Sequence, residues 1–283
     1  MTTAVIANDI HAFSRGRMIL GLGPQIRPHI EKRYSMPWSK PARRMREYVL
    51  AMRAIWSCWN DGVPLSFDGD FYQHTLMTPV FSPPPNQWGA PRVYLSAVGP
   101  LMTEVAGEVA DGLLLHPFST ERYLREVTIP ALERGIRRAQ RPTSAFEIMS
   151  SSFVVTGDDE AEYERSAAET RQRIAFYAST PNYRPVLDLH GWGELQVDLR
   201  RLSKEGRWEE MGSLIDDEML GTFAVCAEPS EVAAAVVKRY GDACDRILMA
   251  AALLTPDHAA HTLQTLASVS PRRAWEDSVE DGH

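Results

Sequence analysis

Apolar positions along this chain follow two alternating patterns, short continuous runs and longer stretches with a helical repeat. The first run, Met18 to Leu22, is opened by Gly16 and closed by Gly23-Pro24. It reads as a buried strand ending in a sharp turn, because glycine admits positive φ and proline cannot extend a ladder. Val93 to Val98 repeats the pattern and ends at Gly99-Pro100, and Leu113-Leu114-Leu115 ends at His116-Pro117. Phe146 to Val155, closing at Gly157, and Arg246 to Leu253 complete the set. The helical stretches fall at 3–14, with Val5, Ile6, Ile10 and Phe13 in register and a stop at Arg15-Gly16, and at 42–59. The second carries Met45, Tyr48, Val49, Met52, Ile55, Trp56 and Trp59 on one face. Further helices are expected at 101–110, 120–139 with Thr120 as N-cap, 160–178 capped by Asp158 or Asp159, 207–221, 230–241 and 257–268.

Three segments interrupt this rhythm. Residues 24–41 read as a long loop rich in proline, aromatics and cations; loops of that length are more often functional than ornamental. Residues 60–91 carry little helical signal beyond a small hairpin, Phe67 to Tyr72, with Asp68-Gly69 at its turn. Residues 179–206 read as irregular and hold Tyr183, His190 and Trp192, and a short apolar run follows at Phe223 to Cys226. Strands alternating with helices of ten or more residues argue for parallel βα units, a barrel or an open doubly wound sheet. The chain is expected to be one domain over 1–283, with insertions near 24–41, 60–91 and 179–222. Five strands alone do not close a barrel.

Composition narrows the function. With 283 residues and 44% hydrophobic content the chain can bury a sizeable core. A net charge of −7 disfavours a general nucleic-acid surface. Cys58, Cys226 and Cys244 are isolated, with no paired spacing, which suits a reducing cytosol, so a cytoplasmic protein is expected. The longest apolar stretch, Ile247 to Leu254, falls far short of a membrane span. No HxH or HExxH spacing suggests a metal, and no GxSxG elbow suggests a serine nucleophile.

Four groups come up as candidate chemistry. Gly21-x-Gly23 lacks the third glycine of a dinucleotide fingerprint, since position 26 is Ile and a loop separates it from the next helix. Ser96-Ala97-Val98-Gly99-Pro100 is better placed: a strand end, a glycine and a helix N-terminus together form an anion site, though any βα turn uses Gly-Pro. His116, at the end of the next strand, is where a barrel displays ligand contacts, and a lone histidine there more often orients than catalyses. The loop cations Arg27, His29, Arg33 and Lys40, interleaved with Tyr34 and Trp38, suit an anionic aromatic ligand or form a solvated rim.

Several segments together resemble one family. Ser14-Arg15-Gly16-Arg17-Met18-Ile19-Leu20-Gly21-Leu22-Gly23 is similar to the opening signature of luciferase-like flavin and deazaflavin oxidoreductases. Arg46-Glu47-Tyr48 with Ile55-Trp56, Phe67 to Tyr72, Val93 to Pro100 and Ala106 to Gly112 follow in the family's order. Arg27-Pro28-His29-Ile30-Glu31 and Ser35-Met36-Pro37-Trp38 resemble the subgroup that uses coenzyme F420.

The resemblance implies a (β/α)₈ barrel of the TIM type binding FMN or the deazaflavin at the C-terminal strand ends. Ser96, Ala97, Val98, Gly99 and Pro100 would line the cofactor phosphate, His116 would flank it, and loop residues Arg27, His29 and Trp38 would approach the ring or substrate. In the family the opening signature belongs to the fourth strand, so strands 4–8 are expected here with the first units missing. At about 30 residues per unit, on the order of 80–90 residues would be absent. The implied activity is hydride transfer between reduced F420 and a small organic substrate; no catalytic acid or base is assigned, and homo-oligomerisation stays open. The alternatives are an FMN-dependent monooxygenase acting with molecular oxygen and a truncated, non-catalytic remnant.

Overall fold

The first strand forms where the glycines permit it. Gly16 takes φ of 79° and its N–H donates to the His11 carbonyl at 2.9 Å, ending the first helix, and the apolar run that follows pairs as a strand. The computed structural model describes residues 1–248 and 255–268, and within them contacts cluster into two compact units interleaved in sequence. Unit 1 comprises Met1–Ala97, Leu101–Leu114 and Ala131–Phe146; unit 2 holds the remainder.

Unit 1 begins with α1 (Thr2–Phe13) and β1 (Ile19–Leu22), then α2 (Pro41–Asp61). A short hairpin of β2 (Phe67–Asp68) and β3 (Gln73–His74) precedes β4 (Arg92–Ala97), α3 (Pro100–Val109) and β5 (Gly112–Leu115). β1 pairs in parallel with β4, Ile19 opposite Arg92 and Leu22 opposite Leu95, and the strand order is β1-β4-β5. Val93, Tyr94, Leu95 and Leu113 are completely or almost completely buried, as expected for runs covered on both faces.

Three findings in unit 1 depart from the sequence pattern. The α1 stripe faces outward: Ile6, Ile10 and Phe13 are exposed, whereas Ala4, Ala7, Asn8 and His11 are buried. The buried polar pair is satisfied across the fold, His11 Nε2 meeting the Trp88 carbonyl and Asn8 accepting from Asn86. The loop at 24–41 is not structureless, since His29–Arg33 makes one wide helical turn closed by Tyr34 N–H on the His29 carbonyl. The hairpin turn is longer than Asp68-Gly69, because Asp68 pairs with Gln73 and the reversal runs over residues 69–72. A distant carboxylate explains the longer turn: Glu47 of α2 accepts from the Asp70, Phe71 and Tyr72 amides at 3.0, 2.6 and 2.6 Å.

Unit 2 includes α4 (Glu121–Tyr123), a wide turn at Leu124–Thr128 and the start of α5 (Ile129–Arg138). One continuous helix over 120–139 was expected. Pro130 has no N–H to continue the i→i−4 ladder, and the wide turn occupies the residues just before it. The expected cap is present, with the Tyr123 amide donating to Thr120 Oγ1 at 3.1 Å.

The expected strand 146–155 is two strands, β6 (Glu147–Ser151) and β7 (Phe153–Val155). After α6 (Glu160–Ala178), residues 179–206 are mostly helical, with α7 (Arg184–Asp188) and α8 (Leu195–Glu205). Leu195, Leu199 and Leu202 carry the helical spacing, and Gly206 at φ 73° closes the segment. The expected helix 207–221 is α9 (Trp208–Gly212) and α10 (Asp217–Phe223), split where Asp216 caps α10 through the Met219 amide. β8 (Ala224–Cys226), α11 (Val232–Tyr240), β9 (Arg246–Leu248) and α12 (Pro256–Ser268) follow. β6 pairs in parallel with β9, and β7 in parallel with β8. Residues 249–253 of the expected last strand lie outside the described residues.

Candidate active site

In unit 2 the candidate chemistry gathers around His116. Its Nδ1 accepts the Phe118 amide at 3.0 Å, which places the ring proton of the neutral form on Nε2. The ring stands edge-on to Tyr177 at 4.8 Å and tilted against Tyr183 at 5.0 Å. Phe118 extends the aromatic wall, stacking on Phe223 at 4.6 Å and on Tyr183 at 5.8 Å. Burial in this apolar setting pushes the His116 pKa down to about 4, so at neutral pH the side chain is an uncharged N–H donor. The same burial raises Tyr183 above its ordinary value, keeping its hydroxyl protonated.

Val98, Gly99 and Pro100 belong to the same unit. Val98 packs against the aromatic core, and its carbonyl accepts from the Tyr123 hydroxyl at 3.2 Å. A side chain at Gly99 would meet nothing within 4 Å, so there is space beside the turn on that face. α3 opens at Pro100, so this turn leads straight into a helix N-terminus, where backbone amides and the helix dipole favour an anion. Ser96 and Ala97 are the last residues of β4 in unit 1, Ser96 half-buried and Ala97 buried.

The loop residues are distributed differently. Arg27 is exposed and committed to Glu31, 3.0 Å away. His29 is half-buried with Nδ1 unpartnered, and Trp38 lines a cleft of unit 1 just beyond β1. Of the three, only Trp38 borders that cleft. Sequence reasoning missed Arg44, Tyr48 and Tyr72, which border it too, and it missed Tyr177 beside His116. Tyr48 lies on the apolar stripe of α2 and Arg44 off it, and no local pattern separates a core ring from a cleft wall.

Among the described residues no group of three or more histidine, cysteine, aspartate or glutamate side chains could hold a metal, and no helix is long and apolar enough to cross a membrane. The arrangement suits binding of an anionic group at a backbone turn and hydrogen bonding from a neutral imidazole.

Residues 1–246 match the luciferase-like monooxygenase family, and the chain belongs to it. It is therefore a member of a family of oxidoreductases. An uncharacterized protein of Mycobacterium tuberculosis is 55% identical over 248 residues, covering 88% of this chain and 73% of its own length. The 5,10-methylenetetrahydromethanopterin reductase of Archaeoglobus fulgidus is 27% identical over 235 residues, 81% of this chain and 66% of the reductase. Among solved structures, the coenzyme F420-dependent tetrahydromethanopterin reductase from Methanopyrus kandleri matches with a TM-score of 0.72. That match is 20% identical and covers 95% of this chain and 78% of that one, a likeness of fold.

Proposed function

We propose that this protein is an F420-dependent oxidoreductase, built on the (β/α)₈ plan, that transfers hydride between the reduced deazaflavin and a small organic substrate. The observation that carries the reading is the likeness of fold to a solved coenzyme F420-dependent reductase, beside the sequence similarity to a methylenetetrahydromethanopterin reductase, together with a turn and imidazole suited to such a cofactor. Ser96 to Pro100 would hold the cofactor phosphate, with the space left by the missing side chain of Gly99 admitting it. The cofactor supplies hydride chemistry; the protein binds, orients and excludes water. Within unit 2, His116 presents its Nε2 hydrogen as a fixed neutral donor, oriented by the Phe118 amide and held by Tyr177 and Tyr183. A neutral donor stabilises developing negative charge without itself exchanging a proton at neutral pH.

Titration of purified protein with F420, followed by cofactor fluorescence, tests the reading. A saturable change, abolished or weakened at least about tenfold by Gly99→Val, is expected because the added side chain fills the open approach. FMN in the parallel titration examines the monooxygenase alternative, which the family's description favours. Tighter binding of FMN than F420 would replace the first reading with the second, and binding of neither would overturn both.

A further inference from the structure

Unit 1 has a cleft of about 200 Å³ immediately beyond β1, bordered by Gly23, Trp38, Ser39, Arg44, Tyr48 and Tyr72. That is below the ~300–1,000 Å³ of sites for drug-sized ligands, so it admits roughly one ring with a substituent. Its chemistry is uneven. Trp38 and the Tyr48–Tyr72 pair, with ring centroids 5.3 Å apart, form aromatic walls, and Arg44 supplies a cation.

Arg44 is held but not neutralised. Nη2 donates to Ser39 Oγ at 2.8 Å, and the guanidinium carbon lies 4.6 Å over the Phe71 ring, so the group is fixed on two sides. Among the described residues no carboxylate lies within ion-pair distance of it. Its neighbours on α2 differ: Arg43 pairs with Asp70 at 2.6 Å and Arg46 with Glu108 at 2.7 Å. Glu47, one turn further on, is occupied with three backbone amides of the hairpin. Nε is buried without an acceptor, and no partner takes Nη1. A fixed guanidinium with unmet donors at the edge of an apolar cleft rewards a planar anion, since guanidinium and carboxylate match as a two-pronged pair.

We propose that this cleft binds a planar aromatic monocarboxylate, its carboxylate paired end-on with Nη1 and Nη2 of Arg44 and its ring enclosed by Trp38, Tyr48 and Tyr72. The site lies wholly within unit 1, and its test needs no cofactor; Gly23 at its edge stands beside Ser96, a residue of the proposed cofactor-phosphate turn.

Calorimetric titration of the full chain with benzoate, and with benzamide as the uncharged isostere, tests it. One benzoate should bind per chain, benzamide at least about tenfold more weakly, and Arg44→Gln should remove that preference. Equal affinity for the two probes, no binding of either, or unchanged benzoate affinity in Arg44→Gln would overturn the proposal. If Arg44→Gln fails to fold, Trp38→Ala serves instead: severalfold weaker benzoate binding is expected, and unchanged affinity overturns it. In native protein labelled with ¹⁵N-arginine, one arginine side-chain resonance should shift and saturate with benzoate but not benzamide; no shift overturns it.

Discussion

Asp111 closes both backbone groups of Val93: its amide donates to the Val93 carbonyl at 2.7 Å, and its Oδ2 accepts from the Val93 amide at 2.8 Å. Asp245 repeats the device in unit 2, its amide reaching the Ile148 carbonyl at 2.8 Å and its Oδ2 accepting the Ile148 amide at 2.7 Å. Each aspartate immediately precedes a strand's opening residues and clamps the strand beside it, which fixes register at the strand's entry. Asp111 also meets Arg53 at 2.9 Å and Arg141 at 3.4 Å.

Asp111→Ala therefore leaves the Val93 amide without its acceptor and two half-buried guanidinium groups without their carboxylate, each keeping only a backbone carbonyl, of Val109 or Ala110. A loss of about 3 kcal/mol is expected, the range for breaking a partly buried charged network. Asp111→Asn keeps an acceptor but removes the charge and should lose less. Urea denaturation checks both, and equal losses would show that the charge contributes nothing.

Glu47 and Gly69 are two halves of one contact. A Cβ at Gly69 would overlap the Glu47 carboxylate, so Gly69→Ala displaces the acceptor that Glu47→Ala removes. Each single variant should cost about 2 kcal/mol, in line with lost hydrogen bonds to a charged group. The double variant should cost little more than either alone, and full additivity in a double-mutant cycle would disprove the coupling.

Gly107 and Gly135 let α3 and α5 touch backbone to backbone. A methyl at Gly107 would press on the Leu132 carbonyl and stand 3.1 Å from the Ile136 nitrogen, and one at Gly135 would press on the Glu104 carbonyl. Either alanine substitution should lower stability by about 1–3 kcal/mol despite the better helix propensity of alanine. A rise in melting temperature would contradict the close crossing.

His116 makes stability depend on acid. Burial lowers its pKa from 6.5 to about 4, so between those values the unfolded chain binds more protons than the folded one. Its contribution is complete above 6.5 and is lost as pH falls toward 4, amounting to about 3 kcal/mol. His190, lowered mainly by burial, acts in the same direction. His116→Asn can still accept the Phe118 amide and does not titrate there. Its stability should fall less steeply than that of the native protein from pH 6.5 to 4 in paired urea titrations, and parallel slopes would refute the assignment.

The alternation of short apolar runs with helical repeats determined the βα order, because burial on both faces leaves a continuous run and burial on one leaves a 3.6-residue repeat. Local chemistry determined the caps at Thr120 and Asp159 and the stop at Gly16, since each acts within a few residues of itself. The ordered segments determined the family. Tertiary structure alone decided which face of α1 is buried, where Asn86 and Trp88 meet it from nearly eighty residues away in sequence. It decided the length of the hairpin turn through Glu47, and the split of residues 146–155 through their separate partners β9 and β8. It also decided the surroundings of the candidate site residues: Ser96 to Pro100 and His116 stood out near strand ends, but the rings against His116 come from residues 177 and 183, and the cleft cation from inside a helix. Such contacts join positions with no spacing in common, so no local pattern in the chain records them.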